Sequence, residues 1–253
     1  MTPKLRFFDC NCLIGRTGAP ILLDIPDAAG LKREMDQAGV EEALVYHAAA
    51  RDAHPPLGNA RRADELRGHP ELHPVWVLLP HHTGEMPRPA ELRKELRAAG
   101  VKAVRMFPGR AQHSFSLAEW CCGELLAALE EAALPLLLDV EIVSWEETAE
   151  ILGRHPGLPL IAANCSYRHD RYIYPLLEKH PNLFIELSRF MGGGELEDVV
   201  RRFGTRPLLF GTNMPVYTGT AAVALLTYAD IEWSAKEDIA GGNLRRLLEG
   251  IRP

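Results

Sequence analysis

Pro135-Leu136-Leu137-Leu138-Asp139-Val140-Glu141 is the stretch that decides the fold. Three consecutive leucines give no hydrophilic face, so this strand is covered on both sides, as strands of parallel sheets are. The run then switches abruptly to acidic residues at its carboxyl end. Leu208-Leu209-Phe210-Gly211-Thr212-Asn213 repeats the design near the end of the chain. Working outward, eight such runs are found: 5–11, 42–47, 74–79, 101–107, 135–140, 159–165, 183–188 and 207–212. Segments with helical spacing follow them at 28–37, 59–67, 90–98, 117–132, 145–154, 171–179, 195–202 and 221–228. Glycines after helices (Gly100, Gly153) and prolines at strand starts (Pro156, Pro181, Pro207) punctuate the same division. Eight strand-helix alternations predict an α/β fold, a (β/α)8 TIM barrel, with residues 234–251 left as a ninth helix packed outside.

The chain has 253 residues, of which 47% are hydrophobic and 25% charged, and no linker or low-complexity tract divides it. A single domain over 1–253 is therefore expected. A formal net charge of -6 and the lack of a basic stripe argue against nucleic acid and anionic membrane surfaces as partners. Residues Met1 to Arg6 lead straight into a strand without a leader-like apolar region, and no apolar run approaches the roughly 20 residues that span a bilayer. A soluble, cytoplasmic protein is the expectation, with self-association left open. Five cysteines, an odd number, read as buried thiols rather than a disulfide framework. Cys10 and Cys12 share a parity opposite Asn11 and are expected to face the helices.

On this fold, functional side chains come from the carboxyl ends of strands. Those ends carry Asp9, Asn11, His47, His81, His82, Arg105, Asp139, Glu141, Asn164, Ser166, Glu186, Ser188 and Asn213. Arg105 offers a fixed cation with a planar fork of donors for a carboxylate or phosphate. An internal ion pair with Asp139, Glu141 or Glu186 is the structural alternative. Asp139 and Glu141 lie on one face, and crowded carboxylates raise one another's pKa toward that of a neutral-pH acid or base. His47 is the further proton-transfer candidate, or a hydrogen-bonded structural residue. His81 and His82 are adjacent and point apart on an extended strand, which disfavours joint metal ligation. Ser166, His169 and Asp170 lack a nucleophile elbow, and no phosphate-cradling or dinucleotide motif occurs.

Phe8-Asp9-Cys10-Asn11, Gly58-Asn59, Leu134 to Asp139, Phe210-Gly211-Thr212-Asn213-Met214-Pro215 and Gly241 to Leu248, in this order, resemble the amidohydrolase-related group of the amidohydrolase superfamily. That group includes metal-dependent hydrolases, lactonases and nonoxidative decarboxylases of small carboxylic acids. The resemblance implies one or two divalent metals held by two His on the first strand, one His on each of the fifth and sixth, and Asp on the eighth. Those positions here hold Asn11, Leu13, Asp139, Asn164 and Asn213. Leucine cannot ligate, and a catalytic zinc requires about three good protein ligands. The expectation is therefore a hydrolase or lactonase without a tightly held metal or other cofactor, acting on a small polar, carboxylate-containing ligand. Asp139, Glu141 and His47 are its proton-transfer candidates. Asp9, Asn11, Arg105, Asn164, Glu186 and Asn213 are its binding residues. A metal-dependent hydrolase or decarboxylase with unusual ligands, such as a zinc enzyme, and a non-catalytic binding or assembly protein are the alternatives.

Overall fold

The computed structural model describes residues 4–18, 21–190 and 192–252. Met1 to Pro3 of the lead-in and Pro253 lie outside them. The strands are β1 (Phe7–Ile14), β2 (Val40–His47), β3 (Leu72–Val77), β4 (Ala103–Arg105), β5 (Leu136–Asp139), β6 (Leu160–Ala163), β7 (Leu183–Glu186) and β8 (Leu208–Leu209). They pair in sequence order, every pair parallel. The seam between β1 and β8 is closed by Cys10 N donating to Phe210 O at 3.0 Å, Leu13 N donating to Met214 O at 2.8 Å, and a parallel bridge between Cys12 and Met214. The expected TIM barrel is thus the observed architecture.

The helices are α1 (Ala28–Ala38), α2 (Ala48–Asp52), α3 (Pro55–Glu65), α4 (Pro89–Ala98), α5 (Glu119–Glu131), α6 (Trp145–Arg154), α7 (Asp170–Lys179), α8 (Glu195–Phe203), α9 (Gly219–Tyr228), α10 (Trp233–Glu237) and α11 (Asn243–Glu249). Their ends follow local chemistry. Asp27 caps α1 by accepting from Gly30 N, and Ser144 with Glu147 forms a reciprocal capping box on α6. Gly58 on α3 lies so close to α2 that a β-carbon would meet Ala50 N at 2.1 Å. The next residue, Asn59, uses its amide to extend the sheet, donating to Val77 O and accepting from Val77 N at 2.9 Å each. The Gly58-Asn59 pair is accounted for by packing.

Every strand contributes to the barrel interior, through Phe8, Leu44, Val75, Ala103, Leu137, Ile161, Phe184 and Leu209 among others. A second apolar cluster, including Leu136, Leu138 and Leu160, lies between sheet and helices. Leu244 of α11 joins the interior cluster. The expected single ninth helix is instead α10 and α11 joined by a π-helical turn over Asp238–Gly242. Asn243 secures this segment by donating to Thr205 O and Leu208 O, so it plugs one barrel end as well as covering the outside.

One parity expectation fails. Cys10 joins the interior cluster with Phe8, whereas Cys12 belongs to the outer one with Phe7 and Ile14. The register of β1 against β2 shifts between Asp9 and Cys12, and Asn11 N donates to Asp9 Oδ1 rather than to a neighbouring strand. A bulge breaks the period of two, so both Cys10 and Asn11 can face inward. All five cysteines are free, and four are buried.

Candidate functional site

At the carboxyl ends of the strands a cavity of about 450 Å³ opens between loops. Tyr46, Arg105 and Phe107 form one wall, Asp139, Asn164 and Asn213 another, and Arg51, Gln112, Glu141 and Tyr217 complete it. Arg105 ends β4 and is only 3% exposed. Its guanidinium carbon lies 4.7 Å from the centre of the Tyr46 ring and 5.1 Å from that of Phe107. Arg105 Nη1 donates to Asn11 Oδ1 at 2.5 Å, and its buried Nε has no hydrogen-bond partner. Among the described residues no carboxylate makes an ion pair with it.

Asn11 links this cation to a buried acid, donating through Nδ2 to Glu186 Oε2 at 3.3 Å. Glu186 also receives Asn164 N, Ser188 N and Ser188 Oγ. Complete burial still pushes its pKa up to about 7, against the pull of those donors. The Glu186 side chain fills the space beside Gly211, where a β-carbon would lie 2.2 Å from Oε1.

A second chain of amides runs along the opposite wall. Asn213 Nδ2 donates to Asn164 Oδ1 at 2.8 Å, and Asn164 Nδ2 donates to Asp139 Oδ2 at 2.5 Å. Asp139 Oδ1 accepts from Glu141 N at 2.9 Å. Burial raises the Asp139 pKa, partly offset by the Glu141 N–H, the nearby Arg105 charge and the Asn164 amide. Asn164 and Asn213 have φ of 63° and 53°, a left-handed conformation that asparagine tolerates better than most residues. Their identity therefore has a backbone reason as well as a hydrogen-bonding one.

The proposed site residues divide accordingly. Arg105, Asp139, Glu141, Asn164 and Asn213 line the cavity, while Asn11 and Glu186 support it from behind. Glu141 is ion-paired with Arg189, which leaves it poorly placed for proton transfer. Asp9 is not a cavity residue: its carboxylate accepts from Asn11 N, Cys12 Sγ, Thr212 N and Thr212 Oγ1, tying β1 to β8. His47 is also elsewhere. Its Nδ1 caps α2 by accepting from Ala49 N, and its Nε2 lies 3.3 Å from Glu65 Oε1. The mouth residues that strand-end reading missed are Tyr46, Arg51, Phe107, Gln112 and Tyr217. Phe107 is two beyond Arg105 and Tyr46 two beyond the inward-facing Leu44, so their parity was a usable signal; the loop residues had none.

The metal positions of the resembled family can be compared with this geometry. Leu13 is in the apolar interior, Asn11 Oδ1 already accepts from a guanidinium, and Asn164 Oδ1 from another amide. One carboxylate and three largely engaged amides do not match the histidine-rich or carboxylate-rich donor sets of zinc or manganese. Among the described residues no group of three or more His, Cys, Asp or Glu is arranged to hold an ion. Nor, among the described residues, is any helix long and apolar enough to cross a membrane.

Comparison with solved structures finds the same fold at low identity. An uncharacterised TIM-barrel protein from Bordetella bronchiseptica superposes with a TM-score of 0.75 at 18% identity, over 97% of this chain and 99% of that one. A 2,6-dihydroxybenzoate decarboxylase solved in complex with 2,6-dihydroxybenzoate gives 0.73 at 16% identity, with 97% of this chain and 99% of that one covered. A dihydroxybenzoic acid decarboxylase from Polaromonas sp. JS666, solved with manganese and the inhibitor 2-nitroresorcinol, gives 0.70 at 14%, with 97% of each chain covered. A comparison with curated proteins finds no match. The amidohydrolase 2 family model matches residues 18–250, the chain from just after β1 to just past α11, and the chain belongs to that family.

Proposed function

We propose that this barrel is an enzyme that binds a small, flat carboxylate at its mouth and transfers a proton from Asp139, with nonoxidative decarboxylation as the reaction. The observation that carries the reading is Arg105. It is buried beside two aromatic rings, has an unpartnered Nε, and lacks an ion-paired carboxylate among the described residues. An unmatched buried cation is costly unless an anion completes it. The other charges lining the cavity are largely offset: Arg51 pairs with Asp52, Glu141 with Arg189, and Asp139 is shifted toward its neutral form. Tyr46, Phe107 and Tyr217 suit the body of an aromatic acid.

In this scheme Arg105 holds the substrate's carboxylate and fixes the orientation of the ring. In its protonated form, which burial favours, the Asp139 carboxyl gives its proton to the ring carbon that bears the departing carboxylate. The bond from that carbon to the carboxyl carbon then breaks, its electron pair returns to the ring, and carbon dioxide leaves. Asp139 regains a proton from water at the mouth, so the sum is a carboxylate plus a proton giving an arene C–H and carbon dioxide. Burial raises the Asp139 pKa, the direction that such a general acid requires. The decarboxylase activities named for two structural neighbours favour this reaction over the hydrolase or lactonase expectation. The engaged amides at the family's ligand positions favour a site that works without a tightly held metal.

The test is carbon dioxide release from a panel of hydroxybenzoates, run beside lactones and amides, with chelator-treated protein and with added manganese. The reading expects hydroxybenzoate turnover by metal-free protein, lost in Asp139→Asn. Turnover of lactones alone would restore the hydrolase expectation, and turnover only with manganese would restore the metal-dependent alternative.

A further inference from the structure

A second cavity, about 500 Å³, lies at the opposite end of the barrel. Lys102 precedes β4 and Leu134 precedes β5, so this groove opens at the amino ends of the strands, away from the mouth. Its polar lining is of one sign. Lys94 and Arg97 come from α4, Lys102 from the loop after it, and Arg252 from the tail. None of these four side chains has an ion-pair or hydrogen-bond partner among the described residues; Arg93, also on the groove, is neutralised by Glu131. No described carboxylate lines the groove, although the chain as a whole carries a net charge of -6. The remaining lining is apolar: Leu96, Val101, Leu129 and Leu134 at the base and Ile251 at one side.

The tail that forms that side is held in place. Arg252 N donates to Ala132 O at 2.8 Å, and Ile251 N to Leu248 O at 3.3 Å. The groove is therefore walled by two helices and a fixed stretch of tail, with basic side chains around an apolar base. A bare inorganic anion would use the charges and leave the base wet. A neutral apolar molecule would use the base and draw nothing from the four cations around it. We infer that this groove is a binding site for an anionic amphiphile, a single carboxylate head on an aliphatic body, with the head among Lys94, Arg97 and Lys102 and the body on Leu96, Leu129, Leu134 and Ile251.

The site is independent of the mouth, so the experiment removes the mouth's cation. Binding of hexanoate, octanoate and decanoate is measured by calorimetry in the Arg105→Met variant and in Arg105→Met carrying Arg97→Glu and Lys102→Glu. Inorganic phosphate and decanol are the controls. Both reversed residues are surface cations, and a circular dichroism melt verifies that each variant folds. The inference expects one site, affinity rising with chain length up to about fourfold per methylene at full burial, and a loss of about tenfold or more on charge reversal or in high salt. Decanol binding as well as decanoate, phosphate binding as well as the long carboxylates, or decanoate affinity unmoved by the reversals would each overturn it.

Discussion

Two carboxylates in one barrel, Asp9 buried at the seam and Asp139 half-buried at the mouth, show how the same group serves opposite ends. Both have raised pKa values, and in both the largest cause is burial. Asp9, at about 6, is fully enclosed and receives four donors, two of them from Thr212 on the far side of the seam. Asp139 receives two donors and faces a cavity. An acid whose acceptor capacity is filled by its own chain is a structural link, whereas one with capacity left over at a cavity is available for chemistry. A perturbed pKa alone does not separate the two; the hydrogen-bond inventory does.

The largest expected effect follows directly. Asp139→Asn removes the proton donor, so turnover should fall by about 10²- to 10⁴-fold, while the melting temperature stays near wild type or rises. Steady-state rates paired with thermal melts measure both, and a rate that survives removes Asp139 from the chemistry. Asp9→Ala should do the reverse. It strands the Asn11 and Thr212 amides and should cost about 3 to 5 kcal/mol in denaturant unfolding; an unchanged midpoint would show that the seam does not depend on this carboxylate.

Gly211→Ala sharpens the comparison from the other acid. Its β-carbon would displace Glu186, which supports Asn11 and, through it, Arg105. We expect a stability loss of about 1 to 3 kcal/mol together with weaker carboxylate binding, and a loss of stability alone would detach Glu186 from the anion site.

The smallest effect is in the pH dependence. Asp9 and Glu186 have folded pKa values of about 6 and about 7, above their ordinary values of 3.8 and 4.5. The folded state therefore binds more protons than the unfolded one between those limits. Their contribution to stability is fully present below about pH 4 and is lost as pH rises through 6 to 7. Burial sets a ceiling of roughly 3 kcal/mol for Glu186. Melting temperature should fall between pH 5 and 8, and Glu186→Gln should flatten the part of that fall centred near 7. A wild-type profile that rises over this interval contradicts the assignment.

The barrel was legible because it depends on coarse periodicity: Leu136 to Leu138 and Leu208 to Phe210 could only be doubly covered strands. The rim was legible for Arg105, Asp139, Asn164 and Asn213 because strand-end position places them. Two kinds of feature were hidden. The bulge at Cys10 and Asn11 depends on Asp9 capturing a backbone N–H, a tertiary event that no alternation rule contains. For His47 the sequence left a proton-transfer group and a hydrogen-bonded structural residue open together, and what it could not show is that the chain turns at once into α2 and uses the ring as a cap. Gln112 and Tyr217 come from loops, where spacing carries no directional information. For Arg105, sequence left an anion site and an internal ion pair open together, and only the absence of an ion-paired carboxylate among the described residues separates them.

The central claim is that Arg105 is an anion site that needs no bound metal. Titrating benzoate or a hydroxybenzoate into chelator-treated protein, wild type and Arg105→Met, tests it most directly by calorimetry. The account predicts one-to-one binding to the metal-free wild type, weakened about 100-fold in the variant, in line with a desolvated charge pair worth about 3 kcal/mol. Binding that appears only when manganese is added, or that is equally tight in Arg105→Met, would contradict it.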